Sequence, residues 1–185
     1  MKKILLTAAA AVMCIASVSA QGFDWGFKGG LNLATITKID DASMKPTFYV
    51  GAFANFNVID DILDIQPEVL YSRQGYKDGD YYARLNYINI PVLAKLHIID
   101  NLTLDLGPQF GFMLNSKYKY KENGETHKGD INGTKNFDVS FAMGLSYRII
   151  PALDVNARYN LGLTKVSDYG KPKNSVVQIG VGYWW

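Results

Sequence analysis

The chain has 185 residues, of which 48% are hydrophobic and 19% charged, and its formal net charge is +2. Loss of an N-terminal segment with two lysines would balance basic and acidic residues, a composition that gives no indication of nucleic-acid binding. The single cysteine, Cys14, lies in that segment, so the remainder can form neither a disulfide nor a thiolate metal site.

Residues 1–20 have the pattern of a secretory signal peptide. Two lysines precede an apolar stretch that runs to about Ala16, and Val18-Ser19-Ala20 suits cleavage before Gln21. The apolar stretch is too short to span a bilayer. We therefore predict an exported protein whose mature chain, residues 21–185, is a single domain.

The mature chain contains eight segments in which apolar and polar residues alternate, as in strands with one apolar and one polar face. They are residues 22–35, 47–58, 62–74, 84–98, 102–116, 137–149, 153–164 and 175–185. Three connections are short, at "VIDDIL", "IIDNLT" and "RIIPAL", and they alternate with four long polar ones, 36–46, 75–83, 117–136 and 165–174. This layout predicts an all-β fold, an eight-stranded antiparallel up-and-down transmembrane β-barrel.

The apolar face of each strand is predicted to contact lipid rather than a soluble core. A soluble barrel also alternates, with its apolar face inward. Here, however, the apolar faces carry no charge, and the polar faces combine charged residues with glycine, which suits a narrow lumen. On a lipid-facing position near mid-bilayer, Arg158 would cost about 2–4 kcal/mol. Aromatic residues at the chain ends suit an interfacial girdle at the short-turn rim: Phe23, Trp25, Tyr183 and Trp185.

Charged residues on the polar faces are predicted to point into the lumen. They are Asp24, Lys28, Asp64, Glu68, Lys95, Asp105, Asp138, Arg148, Asp154 and Arg158. If the turns centre on Asp100 and Pro151, Lys95 faces Asp105 and Arg148 faces Asp154. We expect both to be ion pairs, each worth about 0.2–1 kcal/mol. A structural polar network is the favoured interpretation, and a path for protons or solutes is the alternative.

Several segments together resemble the outer-membrane β-barrel domain family called PorT-like or porin family. They are "FKGGLNLAT", "LDIQPEVLYSRQG", "LNYINIPVLAKL", "LDLGPQFGFML", "DVNARYNLGLT" and "VVQIGVGYWW". The resemblance implies a small barrel in the outer membrane of a Gram-negative cell, in a family of which a minority assist protein secretion. It also implies that Trp185 is the terminal aromatic residue that the outer-membrane assembly machinery recognises. With an even strand count, both termini would lie in the periplasm.

Candidates for catalysis are weak. His97 is predicted close to the short-turn rim and His127 in the longest loop, and neither Ser72 nor Ser140 lies in a nucleophile motif. The segment "DINGTKNFD" is only distantly similar to a calcium-binding loop. The sequence therefore predicts no catalytic residue, no metal site and no cofactor.

The long connections carry more basic than acidic residues, whereas the short turns are acidic. Within the longest connection, the run Lys117-Tyr118-Lys119-Tyr120-Lys121 is our candidate for contact with lipopolysaccharide phosphates or a surface partner, by charge and aromatic contact. A solvated loop is the alternative. We predict that the barrel holds its loops at the cell surface. A narrow channel for small solutes, a secretion accessory and a lipid-modifying enzyme remain as other possibilities.

Overall fold

The computed structural model describes residues 23–36, 43–78, 81–122, 125–130, 136–164 and 174–185. The predicted signal peptide lies outside these ranges.

Within the described ranges the chain forms nine strands. They are β1 (Phe23–Ile36), β2 (Ser43–Ile59), β3 (Leu63–Asp78), β4 (Tyr81–Ile99), β5 (Leu102–Glu122), β6 (Glu125–Asp130), β7 (Phe137–Ile150), β8 (Leu153–Gly162) and β9 (Asn174–Trp184). β6 pairs with β5 as a hairpin outside the closed ring. The other eight strands each pair antiparallel with the next of the eight along the chain, and β1 pairs with β9, so that they close into a barrel. The predicted fold class is confirmed.

The three short turns lie where the sequence predicts them, at residues 60–62, 100–101 and 151–152. Asp61 adopts a left-handed backbone conformation, with φ of 57°, which aspartate tolerates better than most residues. The register that follows from these turns places Lys95 opposite Asp105 and Arg148 opposite Asp154. The predicted pairing register is therefore confirmed at both hairpins.

Two of the predicted long connections are largely replaced by strand pairing, and a third, 36–46, is shorter than predicted because β2 begins at Ser43. In place of a loop at residues 75–83, β3 continues to Asp78 and β4 begins at Tyr81, and these two residues face each other in the ladder. In place of a loop at 117–136, β5 continues to Glu122 and folds back as β6. Both segments are polar on each face and rich in tyrosine, which favours strands, so the ladder persists where hydrophobic alternation has stopped.

The barrel has an apolar outside and a polar inside. Large apolar side chains are exposed along the outer wall, among them Leu31, Val50, Leu145, Val181 and Ile179. The buried interior is instead mostly polar and charged. Such continuous apolar exposure marks a surface that another apolar phase covers. Among the described residues, no helix is long and apolar enough to cross a membrane.

Candidate functional site

A buried ion cluster spans the lumen. Glu68 on β3 lies 2.7 Å from Lys28 Nζ on β1 and receives two hydrogen bonds of 2.9 Å from Arg158 on β8. The three residues are 1–4% exposed. Strands β3 and β8 lie on opposite sides of the closed ladder, so the bidentate Arg158–Glu68 contact crosses the interior.

The predicted pair of Lys95 and Asp105 lies beside this cluster and forms an ion pair, with Lys95 Nζ 3.2 Å from Asp105 Oδ2. Asp105 also accepts hydrogen bonds from Thr103 Oγ1, at 2.8 Å, and Ser146 Oγ, at 2.6 Å. Both charged side chains are buried. The carboxylate therefore keeps several partners in an interior where an unpaired charge would be costly.

The predicted ion pair of Arg148 and Asp154 is wrong, although their register is right. Among the described residues, Arg148 makes no ion pair with Asp154, and its guanidinium carbon lies 3.9 Å from the centre of the Trp184 ring. Asp154 instead accepts a hydrogen bond of 2.5 Å from Trp184 Nε1. The indole offers the cation a ring face and the carboxylate a donor, so it contacts both partners.

Trp184 fills the lumen at the short-turn end, a role that was not predicted from the sequence. Its side chain is 7% exposed, and its ring lies 4.6 Å from that of Phe53, edge to face. Alternation places Trp184 on the polar face of β9, the signal that could have identified it. The indole, Phe53 and Arg148 together occupy the interior close to the turns.

A network of uncharged side chains, also missed, links four strands in the lumen. Asn32 Nδ2 donates to Ser72 Oγ at 3.0 Å, and Gln178 Nε2 donates to Asn32 Oδ1 at 2.9 Å. Asn160 Nδ2 in turn donates to Gln178 Oε1 at 2.9 Å. The only signal in the sequence is that all four residues occupy polar-face positions, because amides and hydroxyls carry no charge pattern.

Three other residues predicted to line the lumen differ in their placement. Asp64 is buried, and its Oδ2 lies 3.0 Å from Nε2 of the partly exposed His97. Asp138 is buried and accepts a hydrogen bond from Thr164 Oγ1. Asp24 pairs with the inward-facing Asn55 of β2 and therefore lies on the lumen face as predicted. It is exposed because the first strand starts at the rim, where the lumen opens to solvent.

The aromatic residues at the chain ends lie together on the outer wall at the short-turn rim. The rings of Trp25 and Trp185 stack at 5.8 Å, and Tyr183 meets Trp185 at 6.4 Å. Trp185 N also donates to Trp25 O at 2.8 Å. All three side chains are at least 37% exposed. This placement is the one that an interfacial girdle requires.

The hairpin of β5 and β6 presents part of the predicted lysine-tyrosine run. The rings of Tyr118 and Tyr120 stack at 6.0 Å, and His127 of β6 stacks on Tyr120 at 4.9 Å. Lys117 is exposed. The side chains of Lys119 and Lys121, and residues 131–135 of the calcium-loop-like segment, lie outside the described part. Within the described ranges, no group of three or more metal-binding side chains could hold a metal ion.

A closed barrel with an apolar wall and a polar, ion-paired interior defines an outer-membrane β-barrel protein. The chain belongs to the outer membrane protein beta-barrel domain family, whose model matches residues 17–168. No curated protein matches the sequence.

Solved structures of similar fold include Ail, the attachment invasion locus protein of Yersinia pestis. It is 14% identical with a TM-score of 0.57, over 89% of this chain and 100% of that one. A second Ail structure, in complex with the heparin analogue sucrose octasulfate, is 16% identical with a TM-score of 0.54, over the same shares. Neisserial surface protein A is 16% identical with a TM-score of 0.55, over 89% of this chain and 98% of that one. At such identities the likeness concerns the fold alone.

Proposed function

We propose that this protein is an integral outer-membrane barrel whose lumen is closed to solutes and whose function is to present its longer connections at the cell surface. The short turns and both termini then lie in the periplasm. One observation carries the closed lumen: the buried contact of Glu68 with Lys28 and Arg158 across the interior. Opening it would separate Glu68 from the two cations that its carboxylate contacts at 2.7 and 2.9 Å, and a buried charge that loses its partner is costly.

A second contact supports the closed lumen. Trp184, held by Arg148 and Asp154 and packed on Phe53, occupies the periplasmic end. A solute would have to displace both the indole and the ion cluster. The runner-up function, a narrow channel, requires that both move.

Planar-bilayer recording of the purified barrel tests this proposal. We expect no stable unitary conductance above the lipid background, because the ion cluster blocks the path, while a general porin prepared in the same way gives discrete steps. Liposome swelling in a small neutral sugar should agree. Reproducible unitary steps from the wild-type protein would establish the channel instead.

We further propose that the β5–β6 hairpin contacts a polyanion such as lipopolysaccharide phosphate through Lys117, Lys119 and Lys121. The exposed Lys117 beside the stacked Tyr118 and Tyr120 supports this. At the level of the fold, so does the binding of sucrose octasulfate by Ail.

The lysine triple variant K117Q/K119Q/K121Q tests this contact. We expect weaker binding to immobilised lipopolysaccharide and weaker surface adhesion, because three positive charges are lost from one hairpin. The matched control K165Q/K171Q/K173Q removes three charges from the β8–β9 connection. Equal binding by the two variants, or unchanged binding by the first, would refute a role for the hairpin.

The closer kinship to PorT-like barrels is also a proposal, supported by the motifs "FKGGLNLAT" and "DVNARYNLGLT". With it goes the proposal that Trp185 is the signal for the outer-membrane assembly machinery, supported by its exposed indole, which stacks on Trp25 at the short-turn rim. A secretion accessory or lipid-modifying enzyme would reveal itself on deletion through changed secreted proteins or a changed lipid profile. We expect neither change.

A further inference from the structure

The outer wall of the barrel carries a basic row that the alternation of the sequence does not reveal. On β3, the outward residues Leu63, Ile65 and Val69 are followed by Tyr71 and then by Arg73. The register puts Arg73 opposite Asn86 on β4, and Asn86 opposite Asn115 on β5. The apolar band therefore ends at one level on three adjacent strands.

Two more cations lie directly above this level. Arg84 on β4 faces Lys117 on β5, and both side chains are exposed. On its other side, Arg84 faces Gly75 of β3, which leaves the wall beside it without a side chain. Arg73 and Arg84 are diagonal neighbours, a relation that sets residues about 7–8 Å apart. Arg84 therefore lies between Arg73 and Lys117 in the row, next to each of them.

Arg73 is held in place by its surroundings. Its guanidinium carbon lies 5.3 Å from the centre of the Phe48 ring, and its Nε donates to Asn86 Oδ1 at 3.4 Å. Asn86 is itself fixed, because it accepts from Tyr71 Oη at 3.1 Å and donates to Asn115 Oδ1 at 2.6 Å. Among the described residues, the terminal guanidinium nitrogens of Arg73 have no hydrogen-bond partner, since its one side-chain hydrogen bond uses Nε.

Like charges that face each other across a ladder are unfavourable unless an anion lies between them. Among the described carboxylates, none forms an ion pair with Arg73, Arg84 or Lys117. Asp130 on β6 is the acidic residue that the register places opposite Lys117. Among the residues whose side chains the structure describes, Arg73 and Arg84 therefore carry positive charge without an ion-pair partner, at the margin of the lipid-facing band.

We infer that Arg73, Arg84 and Lys117 form a lateral site for a phosphate group of lipid A in the outer leaflet. Arginine binds phosphate through paired N–H donors. Phe48 and Tyr71 below the row suit the level of the lipid headgroups, where aromatic side chains concentrate. The acyl chains of the same lipid would lie along the apolar wall beneath. The assignment to the outer leaflet rests on the proposed orientation of the barrel, with its longer connections outside.

Native mass spectrometry of the delipidated mature barrel in detergent micelles tests the site directly, whatever the orientation in cells. The probe is lipid A with both phosphates, compared with dephosphorylated lipid A and with phosphatidylglycerol. We expect one lipid A per barrel and about tenfold weaker binding of the dephosphorylated form, because charge-assisted hydrogen bonds to phosphate are lost. Phosphatidylglycerol, with one phosphate and two chains, should also bind more weakly.

The variant R73Q/R84Q should weaken lipid A binding about tenfold. The control K171Q/K173Q removes the same charge from the segment between β8 and β9 and should bind as the wild type does. Migration of unheated samples in SDS gels verifies folding, and Arg84→Gln alone, at an exposed position, serves if the double variant does not fold.

Wild-type affinity in R73Q/R84Q would overturn the site, as would equal affinity for the dephosphorylated lipid or for phosphatidylglycerol. If K117Q/K119Q/K121Q lost lipid A binding while R73Q/R84Q kept it, the β5–β6 hairpin would be the binding site and the proposed site on the outer wall would be refuted. Failure of the closed-lumen proposal would appear in the conductance recording and leave this result unaffected.

Discussion

At the scale of residues, the reach of a contact along the chain decides whether the sequence can predict it. Lys95 and Asp105 are 10 residues apart and share a hairpin, so the turn position sets their pairing. Glu68 meets Lys28 and Arg158 at separations of 40 and 90 residues. Nothing local links these three, and only the closed barrel brings them together. The same limit explains Arg148, whose true partner, Trp184, belongs to β9 and not to β8, the strand that shares its hairpin.

Glu68→Gln should strongly destabilise the barrel, by about 3–5 kcal/mol, because Lys28 and Arg158 would stay buried without a carboxylate. Urea unfolding in lipid vesicles, followed by tryptophan fluorescence, measures the change. Asp60→Asn is the matched control, since Asp60 is exposed in a turn, and we expect its effect to stay within about 0.5 kcal/mol. If both variants unfold at the same urea concentration, the ion cluster is not a major contributor to stability.

At the scale of strands, hydrophobic alternation predicts the membrane-spanning part well and the extensions poorly. Along β7 and β8, the large apolar residues are exposed or partly exposed and most polar residues are buried, in the alternation that the sequence predicts. Where β3, β4 and β5 continue past the apolar band, both faces are polar and the pattern disappears, while backbone pairing continues. Backbone hydrogen bonds do not require a buried face. These three strands therefore continue beyond the residues at which hydrophobic alternation predicts that they end.

Met143→Arg should cost about 2–4 kcal/mol, because Met143 lies on the outer face near the middle of β7 and would place a charge in hydrocarbon. Ile150→Arg, at the end of the same strand, should cost only about 0–1 kcal/mol, since that position lies near the interface. Reversible unfolding in vesicles compares the two variants. An equal cost, or a greater one for Ile150→Arg, would contradict the assignment of the outer wall to lipid.

At the scale of the whole molecule, the inside and outside of the barrel are chemically reversed relative to a soluble protein. Ion pairs and amides fill the interior, and Phe48, Val50, Phe141 and Leu145 are among the apolar side chains on the exterior. Membership of the outer-membrane family agrees with this reversal. The direction in which the barrel inserts depends on cellular assembly and stays a prediction, as does the signal peptide at residues 1–20.

Single cysteines report that direction, because the chain contains no cysteine after Cys14. In intact cells, a membrane-impermeant maleimide should label Lys119→Cys in the β5–β6 hairpin and leave Asp60→Cys, in a short turn, unlabelled. Both should react after the cells are broken. Labelling of Asp60→Cys alone in intact cells would place the short turns outside and reverse the proposed topology.

The sequence by itself determined the class of fold, the three short turns, the face of each strand that meets lipid and the register of two hairpins. These properties are local, since alternation and turn chemistry act over a few residues. The tertiary structure decided which charges meet across the lumen, that Trp184 rather than Asp154 receives Arg148, and that Arg73, Arg84 and Lys117 form one row. Such contacts depend on how eight strands close on one another, and closure brings together residues that no local pattern connects.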